Sequence, residues 1–185
     1  MQTTEQPMTL EEFDALPESL LPCQLIEGKL VMAPAPTRLH QRLVWIISGE
    51  LYAFLRDHPE LGEAYHAPFD VQLRGPNVYQ PDVMFFSRDH LDRLTETRAQ
   101  GAPDLAVEVL SPKTAHYDRN EKRLGYAQNG VAELWIIDPK RKIAEVYRLA
   151  KDAGGPSAVF KRGDVLTTSL LPGFKLALDR LFGDG

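Results

Sequence analysis

Two acidic residues stand among apolar neighbours near the middle of the chain. Asp82 precedes the apolar run Val83–Phe86, and Glu108 lies inside the apolar run Leu105–Leu110. A buried carboxylate costs roughly several kcal/mol unless it is paired, protonated or bound to a metal ion. The pattern therefore indicates a functional pair of acids or a pair with a buried counter-charge.

The chemistry open to such a pair is the binding of a hard divalent cation. Mg²⁺ prefers a few carboxylate oxygens, waters and often substrate phosphate. Asp82 and Glu108 supply two carboxylates if their strands are neighbours, and Lys122 follows on a predicted helix. A lysine at that point orients the attacking water or stabilises charge on phosphate. The arrangement favours phosphodiester hydrolysis.

Structural roles explain the same residues without chemistry. Asp82 could cap the turn after Pro81, and Glu108 could form an ion pair with Lys122 and do nothing more. Lys122 could equally be a solvated charge on a helix surface. These alternatives stay open at the level of the sequence.

The elements around the two acids form a recognisable unit. The near-continuous apolar run Leu105–Leu110 predicts a strand buried on both faces of a sheet. Helical spacing follows over Asp118–Asn129, with Leu124 and Tyr126 on the inner side, and Glu133–Asp138 is a second buried strand. Strand, helix and strand at this spacing predict a crossover between parallel strands.

The remaining segments predict a mixed α/β (α+β) chain. The expected elements are a helix over Thr9–Leu16, a hairpin over Cys23–Met32, a long helix from Thr37 to Asp57, a hairpin of Ala64–Leu73 with Val78–Phe86, a loop with a short helix over Ser87–Ala102, antiparallel strands over Ile143–Leu149, Ala158–Arg162 and Val165–Leu170, and a last helix over Ala177–Phe182.

Length and composition limit the class of protein. The chain has 185 residues, 43% of them hydrophobic, which predicts one domain over residues 1–185. A single cysteine, no signal-peptide pattern and no apolar run of about 20 residues predict a cytoplasmic protein without a membrane span. A net charge of −5 disfavours binding of nucleic acid by bulk charge. Basic residues concentrate only in Lys113–Arg123 and Lys140–Lys142.

Several motifs together resemble a known group of nucleases. Gln80-Pro81-Asp82 with Glu108-Val109-Leu110 resembles the PD-(D/E)xK superfamily, and nearly the whole chain is similar to the Uma2 family of restriction-endonuclease-like proteins. The residues that carry the second resemblance are Gln24–Leu30, His40, Gln80–Asp82, Glu108–Pro112, Lys122, Tyr126 and Gly130–Pro139.

The resemblance implies a fold, an activity and a set of roles. The implied fold is a restriction-endonuclease-like mixed β-sheet flanked by helices, and the implied activity is Mg²⁺- or Mn²⁺-dependent cleavage of DNA by a homodimer. Asp82 and Glu108 stand at the positions of the two metal carboxylates. Leu110 occupies the position of the usual lysine, for which Lys122 is the substitute. Glu27 and His40 match positions that would complete the metal site.

Two other functions remain compatible with these residues. Acidic net charge and Leu110 at the usual lysine position favour a catalytically inactive nuclease-fold module for binding or assembly. Hydrolysis of a smaller phosphate ester would use the same groups. Whether the two carboxylates lie within reach of one metal, with Lys122 beside them, discriminates the inactive module from the enzymes.

Overall fold

The fold contains two mixed β-sheets and a two-stranded antiparallel sheet, and one long helix packs against the largest sheet. The computed structural model describes residues 7–17, 23–32, 35–111, 115–152 and 154–183. The helices are α1 (Leu10–Asp14), α2 (Arg38–Asp57), α3 (Ala115–Tyr117), α4 (Arg123–Gln128) and α5 (Leu178–Phe182), with a 3₁₀ turn over Arg88–Arg93 and a π-helical turn over Asp118–Lys122.

The strands lie between these helices, and several follow one another directly along the chain. They are β1 (Cys23–Ile26), β2 (Lys29–Met32), β3 (Gly62–His66), β4 (Asp70–Gln72), β5 (Val78–Tyr79), β6 (Val83–Ser87), β7 (Arg98–Gln100), β8 (Leu105–Val109), β9 (Glu133–Asp138), β10 (Ile143–Arg148), β11 (Ala158–Lys161), β12 (Val165–Leu166) and β13 (Leu176–Ala177).

The larger sheet places the two predicted site strands side by side. It has six strands in the order β11-β10-β9-β8-β6-β3. β6 and β8 are antiparallel neighbours, whereas β8 and β9 are parallel. The segment between β8 and β9 contains α3, the π-helical turn and α4, which confirms the predicted crossover unit.

The hairpin predicted for Ala64–Leu73 with Val78–Phe86 is wrong in one respect. Both arms are interrupted, so β3 pairs with β6 in the larger sheet while β4 pairs with β5 in the second sheet. Pro68 and Pro81 lie at the two interruptions. Because proline has no N–H to donate, it ends a ladder and allows the chain to pass between sheets.

The second sheet contains the N-terminal hairpin. Its order is β2-β1-β5-β4-β7, and the short strand β7 was not foreseen within the predicted loop. Glu27 and Gly28 form the two-residue turn between β1 and β2, with φ of 50° and 74°. Positive φ at both turn residues matches the right-handed twist of a hairpin, which explains the glycine.

α2 buries one stripe against the larger sheet. The hydroxyl of Thr37 accepts the N–H of His40 and caps the helix, as predicted. Leu43, Ile47 and Leu51 are fully buried in the cluster that also contains residues of β6, β8 and β9. Each such side chain stabilises the fold by about 1.5–3 kcal/mol, so this stripe fixes the helix over the sheet.

The opposite face of the sheet is covered by the crossover segment. Tyr126 and Leu110 are buried there with Met84 and Phe86. Leu124, expected on the inner side, is instead 47% exposed. The observed mixed α+β architecture, with helices flanking a mixed sheet, confirms the predicted fold class. Within the described ranges, no helix has the length and apolar character needed to cross a bilayer.

Candidate active site

Asp82 and Glu108 face each other across two neighbouring strands. Val83 of β6 is paired with Val107 of β8, so the residue before Val83 lies opposite the residue after Val107. Those residues are Asp82 and Glu108, and opposite positions of an antiparallel pair present their side chains on one face. The condition set by the sequence, that the two strands be neighbours, is therefore met.

The carboxylate of Asp82 is held from two sides. The backbone N–H of Val109 donates to Asp82 Oδ2 at 2.7 Å. His40 Nε2, from the first turn of α2, lies 3.3 Å from the same oxygen. The aspartate is thereby tied both to the end of β8 and to the helix on the other face of the sheet.

Glu108 is bonded to two groups of the crossover segment. Lys122 Nζ donates to Glu108 Oε1 at 2.7 Å, and the hydroxyl of Tyr126 donates to the same oxygen at 2.5 Å. Asp118 Oδ1 lies 3.8 Å from Lys122 Nζ. Glu108, Asp118 and Lys122 are each 4% exposed, so the whole cluster is shielded from water.

Burial alters the proton affinity of this cluster. It raises the pKa of Glu108 to about 8, with a further increase from Asp118 and Asp82 and an opposing effect of Lys122. Burial alone would lower the pKa of Lys122, but the negative charges of Glu108 and Asp118 outweigh it and the pKa is raised. Lys122 therefore remains an ammonium, and the carboxyl of Glu108 binds a proton or another cation readily.

His40 has an environment that favours its charged form. Burial lowers its pKa, but the hydrogen bond and charge of Asp82, together with the charge of Glu108, raise it overall. Its second ring nitrogen, Nδ1, is buried and has no hydrogen-bond partner among the described residues. A buried polar atom without a partner is a common mark of a position where water or a ligand binds.

Glu27 lies apart from these groups. It is exposed at the β1–β2 turn, where its backbone N–H donates to Asn77 Oδ1 at 2.8 Å. Within the described part of the chain, no hydrogen bond or ion pair joins it to Asp82 or Glu108. Its negative charge contributes to the raised pKa of Tyr79 and of Tyr117.

The donor set fits a hard cation that keeps most of its own water. The described hydrogen bonds use Asp82 Oδ2 and Glu108 Oε1. This leaves Asp82 Oδ1 and Glu108 Oε2 as the oxygens that would coordinate a metal ion. No group of three or more His, Cys, Asp and Glu side chains is arranged to hold a metal in the ranges that the structure describes. Mg²⁺ is commonly held by one or two carboxylates plus water and phosphate, so two carboxylates match it.

Tyr126 and Asp118 are members of the cluster that the sequence prediction did not assign to the site. Tyr126 was expected only in the core, and Asp118 only at a helix start. Residues 118, 122 and 126 follow one another at four-residue spacing, which places side chains on one helix face. This spacing was the signal in the sequence that would have placed Asp118 and Tyr126 beside Lys122.

Acids neutralise part of the predicted basic patches. Arg119 contacts Asp138 at 2.8 Å and Glu145 at 3.1 Å, and Arg141 contacts Glu145 at 3.1 Å. Lys113 lies outside the described residues. Arg123, Lys140 and Lys142 form no ion pair among the described residues, and both lysines are exposed, so these patches keep part of their positive charge.

Comparisons with known proteins identify a family and a similar fold. The profile of the Uma2 family, described as "Putative restriction endonuclease", matches residues 10–179. A solved structure described as a "putative nuclease belonging to DUF820", from Anabaena variabilis, is similar with a TM-score of 0.80 and 24% sequence identity. The similarity covers 95% of this chain and 98% of that chain. The search of curated proteins found no match. The predicted resemblance and the nuclease-like fold are confirmed.

Proposed function

The chain belongs to the Uma2 family, and from that premise we propose that it is a metal-dependent nuclease that hydrolyses DNA phosphodiester bonds. The observation that carries the proposal is the position of Asp82 opposite Glu108, with Lys122 Nζ 2.7 Å from Glu108 Oε1. Two acids opposite each other with a lysine bonded to one of them are groups that metal-assisted hydrolysis of a phosphodiester uses. The nuclease description of the similar solved structure supports the same assignment.

Asp82 and Glu108 would hold Mg²⁺ or Mn²⁺. When bound, such an ion stabilises charge on the phosphate and lowers the pKa of a bound water. The protein's part is to keep the two carboxylates in place. The Val109 N–H and His40 orient Asp82, while the Tyr126 hydroxyl and Lys122 orient Glu108.

Lys122 is the proposed cationic group of the reaction. Its ammonium form persists in the dry cluster because two buried acids, Glu108 and Asp118, lie beside it. From this position it would orient the attacking water or stabilise negative charge on the phosphate. It thus takes the role of the lysine that Leu110 replaces in the sequence motif.

His40 and Glu27 are proposed for different parts of the metal site. His40 touches Asp82 and has a second ring nitrogen without a partner among the described residues, so it is suited to a ligand or positioning role. Glu27 is exposed at its hairpin turn. It would join the site only through a bridging water or the substrate.

One observation favours an inactive nuclease-fold module as the second candidate. Glu108 Oε1 already has an internal cation, Lys122, and Leu110 is buried at the usual lysine position. A cluster satisfied in this way could serve only to stabilise the fold. Metal binding therefore discriminates the two functions.

The test is calorimetric titration of Mn²⁺ into the wild type, Asp82→Asn and the control Asp89→Asn, followed by nicking of plasmid DNA. Asp89 is an exposed acid of the 3₁₀ turn after β6. We expect saturable binding and metal-dependent nicking in the wild type and the control, and loss of both in Asp82→Asn. Equal binding and nicking in all three proteins would refute the assignment, and absence of binding in the wild type with and without DNA would favour the inactive module.

We further propose that the nuclease acts as a homodimer. Homo-oligomers are most often twofold dimers, and a dimer would present two copies of the site to its nucleic acid. Sedimentation equilibrium measures this directly. A monomeric mass over the working concentration range would contradict it.

A further inference from the structure

One exposed stripe of α2 combines arginines with aromatic rings. Its members lie at alternating spacings of four and three residues, which places them on a single helix face. The stripe consists of six exposed residues: Arg38, Arg42, Trp45, Gly49, Tyr52 and Arg56. Trp45 is 78% and Tyr52 69% exposed, which is unusual for such large apolar side chains.

The stripe forms one wall of a groove of about 440 Å³. The groove is lined by Trp45, Ser48, Gly49 and Tyr52 on one side and by His66 and Val83 on the other. A Cβ added at Gly49 would meet no atom within 4 Å, so packing does not explain the glycine. The absence of a side chain at Gly49 leaves a notch between the rings of Trp45 and Tyr52.

The groove also contains a polar atom without a partner. The hydroxyl oxygen of Ser48 is buried and has no hydrogen bond within the described ranges. A hydroxyl is both donor and acceptor, so a ligand whose polar edge reaches the floor of the groove would satisfy this atom. A ligand with an aromatic face and a polar edge would use both features of the groove.

The groove opens beside the proposed active site. Val83 directly follows Asp82, and His66 is paired with Val83. The N–H of Ala67, the next residue, donates to the Asp82 carbonyl at 3.1 Å. At the start of the same helix, His40 lies 3.3 Å from the Asp82 carboxylate. Successive strand residues point to opposite faces, so Val83 lines the groove on the α2 face, Asp82 lies on the face of the crossover segment, and His40 connects the two. A nucleic-acid strand whose phosphate reaches Asp82 past His40 would continue along the exposed face of α2.

Charge on the stripe selects an anionic ligand. No ion pair of the described residues engages Arg38 or Arg42, although the chain as a whole has a net charge of −5. Arg56, at the far end, is paired with Asp57 at 3.1 Å. With few phosphate contacts available, stacking of bases on aromatic rings must contribute to the affinity.

The same charges disfavour a second copy of the chain as the occupant. In a twofold interface through this stripe, the identical helices would meet each other. Whether parallel or antiparallel, the arginines at the two ends of the stripe, Arg38 and Arg56, would face arginines. Like charges across an interface oppose association.

We propose that this stripe binds an unpaired strand of nucleic acid, with bases stacked on Trp45 and Tyr52 and the backbone along Arg38 and Arg42. Bases in a duplex have their faces covered, whereas unpaired bases stack on protein aromatics. The inference deepens the proposed function: it makes the substrate of the nuclease single-stranded, or locally unpaired beside the scissile phosphate.

Binding can be measured without metal, so that no cleavage occurs. A fluorescent oligothymidylate of about 12 nucleotides and a hairpin duplex of equal length are titrated in EDTA with wild type, Trp45→Ala, Tyr52→Ala and Gly49→Leu. The chain has two tryptophans, and Trp135 is fully buried, so Trp45 also reports stacking by its own fluorescence. Val159→Ala is the control, because Val159 is 51% exposed on β11, the other edge strand of the sheet.

We expect the wild type and the control to bind the single strand more tightly than the duplex, with quenching of Trp45 emission. Trp45→Ala and Tyr52→Ala should each weaken single-strand binding by roughly 5- to 150-fold. Gly49→Leu should weaken it because the leucine fills the notch, and Trp45→Phe should restore much of it. These substitutions lie on the surface, so all variants should unfold at temperatures close to that of the wild type.

Two results would overturn the inference. One is single-strand binding that the three stripe variants leave unchanged. The other is that the wild type is a dimer, that the Trp45→Ala and Tyr52→Ala variants are monomers, and that oligonucleotide binding is the same in all three. The stripe would then be a dimer interface. Failure of the nuclease proposal gives a different result. The wild type would then show no cleavage, but the stripe variants would still bind the single strand more weakly than the wild type.

Discussion

Lys122 donates a hydrogen bond of 2.7 Å to Glu108 from the helical segment that leads from β8 to β9. Both side chains are 5% exposed, so the pair lies in a dry environment. Removal of one partner from a buried ion pair leaves the other charge buried without compensation, which lowers the stability of the fold. The pair therefore links the stability of the fold to the groups proposed for catalysis.

Lys122→Met should destabilise the protein and abolish cleavage. The methionine removes the cation of the cluster. At a pH above about 8, where Glu108 is ionised, this leaves a buried carboxylate without its counter-charge and costs about 3–5 kcal/mol, whereas at lower pH Glu108 binds a proton and the loss is smaller. Urea denaturation measures the loss. The double variant Glu108→Gln/Lys122→Met should recover most of the stability without recovering cleavage, and a double variant no more stable than Lys122→Met would contradict this account of the pair.

The pH dependence of stability should reveal the raised pKa of Glu108. Burial raises this pKa to about 8 from its ordinary value of 4.5, so between these values the folded protein binds more protons than the unfolded chain. The Glu108 contribution to the free energy of unfolding should then fall as pH rises through this window, by up to about 1.4 kcal/mol per pH unit.

The comparison that isolates this contribution is Glu108→Gln against wild type, measured by thermal unfolding in EDTA at several pH values. The variant should gain stability relative to the wild type as pH increases toward 8. Glu121→Gln, a change at an exposed acid of the same helical segment, should run parallel to the wild type. If the stability of Glu108→Gln also changed with pH in parallel with that of the wild type, Glu108 would ionise with an ordinary pKa.

His40→Ala should weaken Mn²⁺ binding without unfolding the protein. His40 Nε2 lies 3.3 Å from Asp82 Oδ2, and loss of a group that orients a metal ligand typically lowers metal affinity by about 10- to 100-fold. Calorimetric titration of Mn²⁺ checks this. The neighbouring change Leu39→Ala, at a residue 47% exposed, should leave the affinity as it is. An unchanged affinity in His40→Ala would remove His40 from the metal site.

Two glycines in helices should respond in opposite ways to substitution by alanine. At Gly125, a Cβ would lie 2.1 Å from the Tyr79 hydroxyl oxygen, so Gly125→Ala should destabilise the protein by about 1–3 kcal/mol. At Gly49, a Cβ would meet nothing, so Gly49→Ala should stabilise it by up to about 1 kcal/mol. Thermal unfolding of the two variants, side by side, tests the packing of Tyr79 against α4.

The local elements were predictable where one physical signal was strong. Thr37 followed by apolar residues at helical spacing defined α2, and the continuous apolar run around Glu108 defined a strand buried on both faces. Glu27-Gly28 between two short runs defined the first hairpin. These signals act over a few residues, because capping, turn geometry and side-chain periodicity depend on near neighbours.

The division of the chain between two sheets was not predictable in this way. The run from Gly62 to Ser87 has the pattern of one hairpin, but its inner part, β4 and β5, joins the sheet of the N-terminal strands. That choice depends on pairing of Leu25 with Val78. A partner so distant in sequence leaves no local periodic signal.

The residue types and their order identify the side chains that are able to do chemistry: two acids in apolar strands, a lysine on the helix that follows, and motifs typical of the family. Their arrangement in space depends on the fold. Asp82 lies opposite Glu108 because β6 pairs with β8 in one particular register, and Lys122 reaches Glu108 because the crossover segment packs back over β8. Register and packing are set by burial of both sheet faces at once, so they follow from the whole fold and from no single segment.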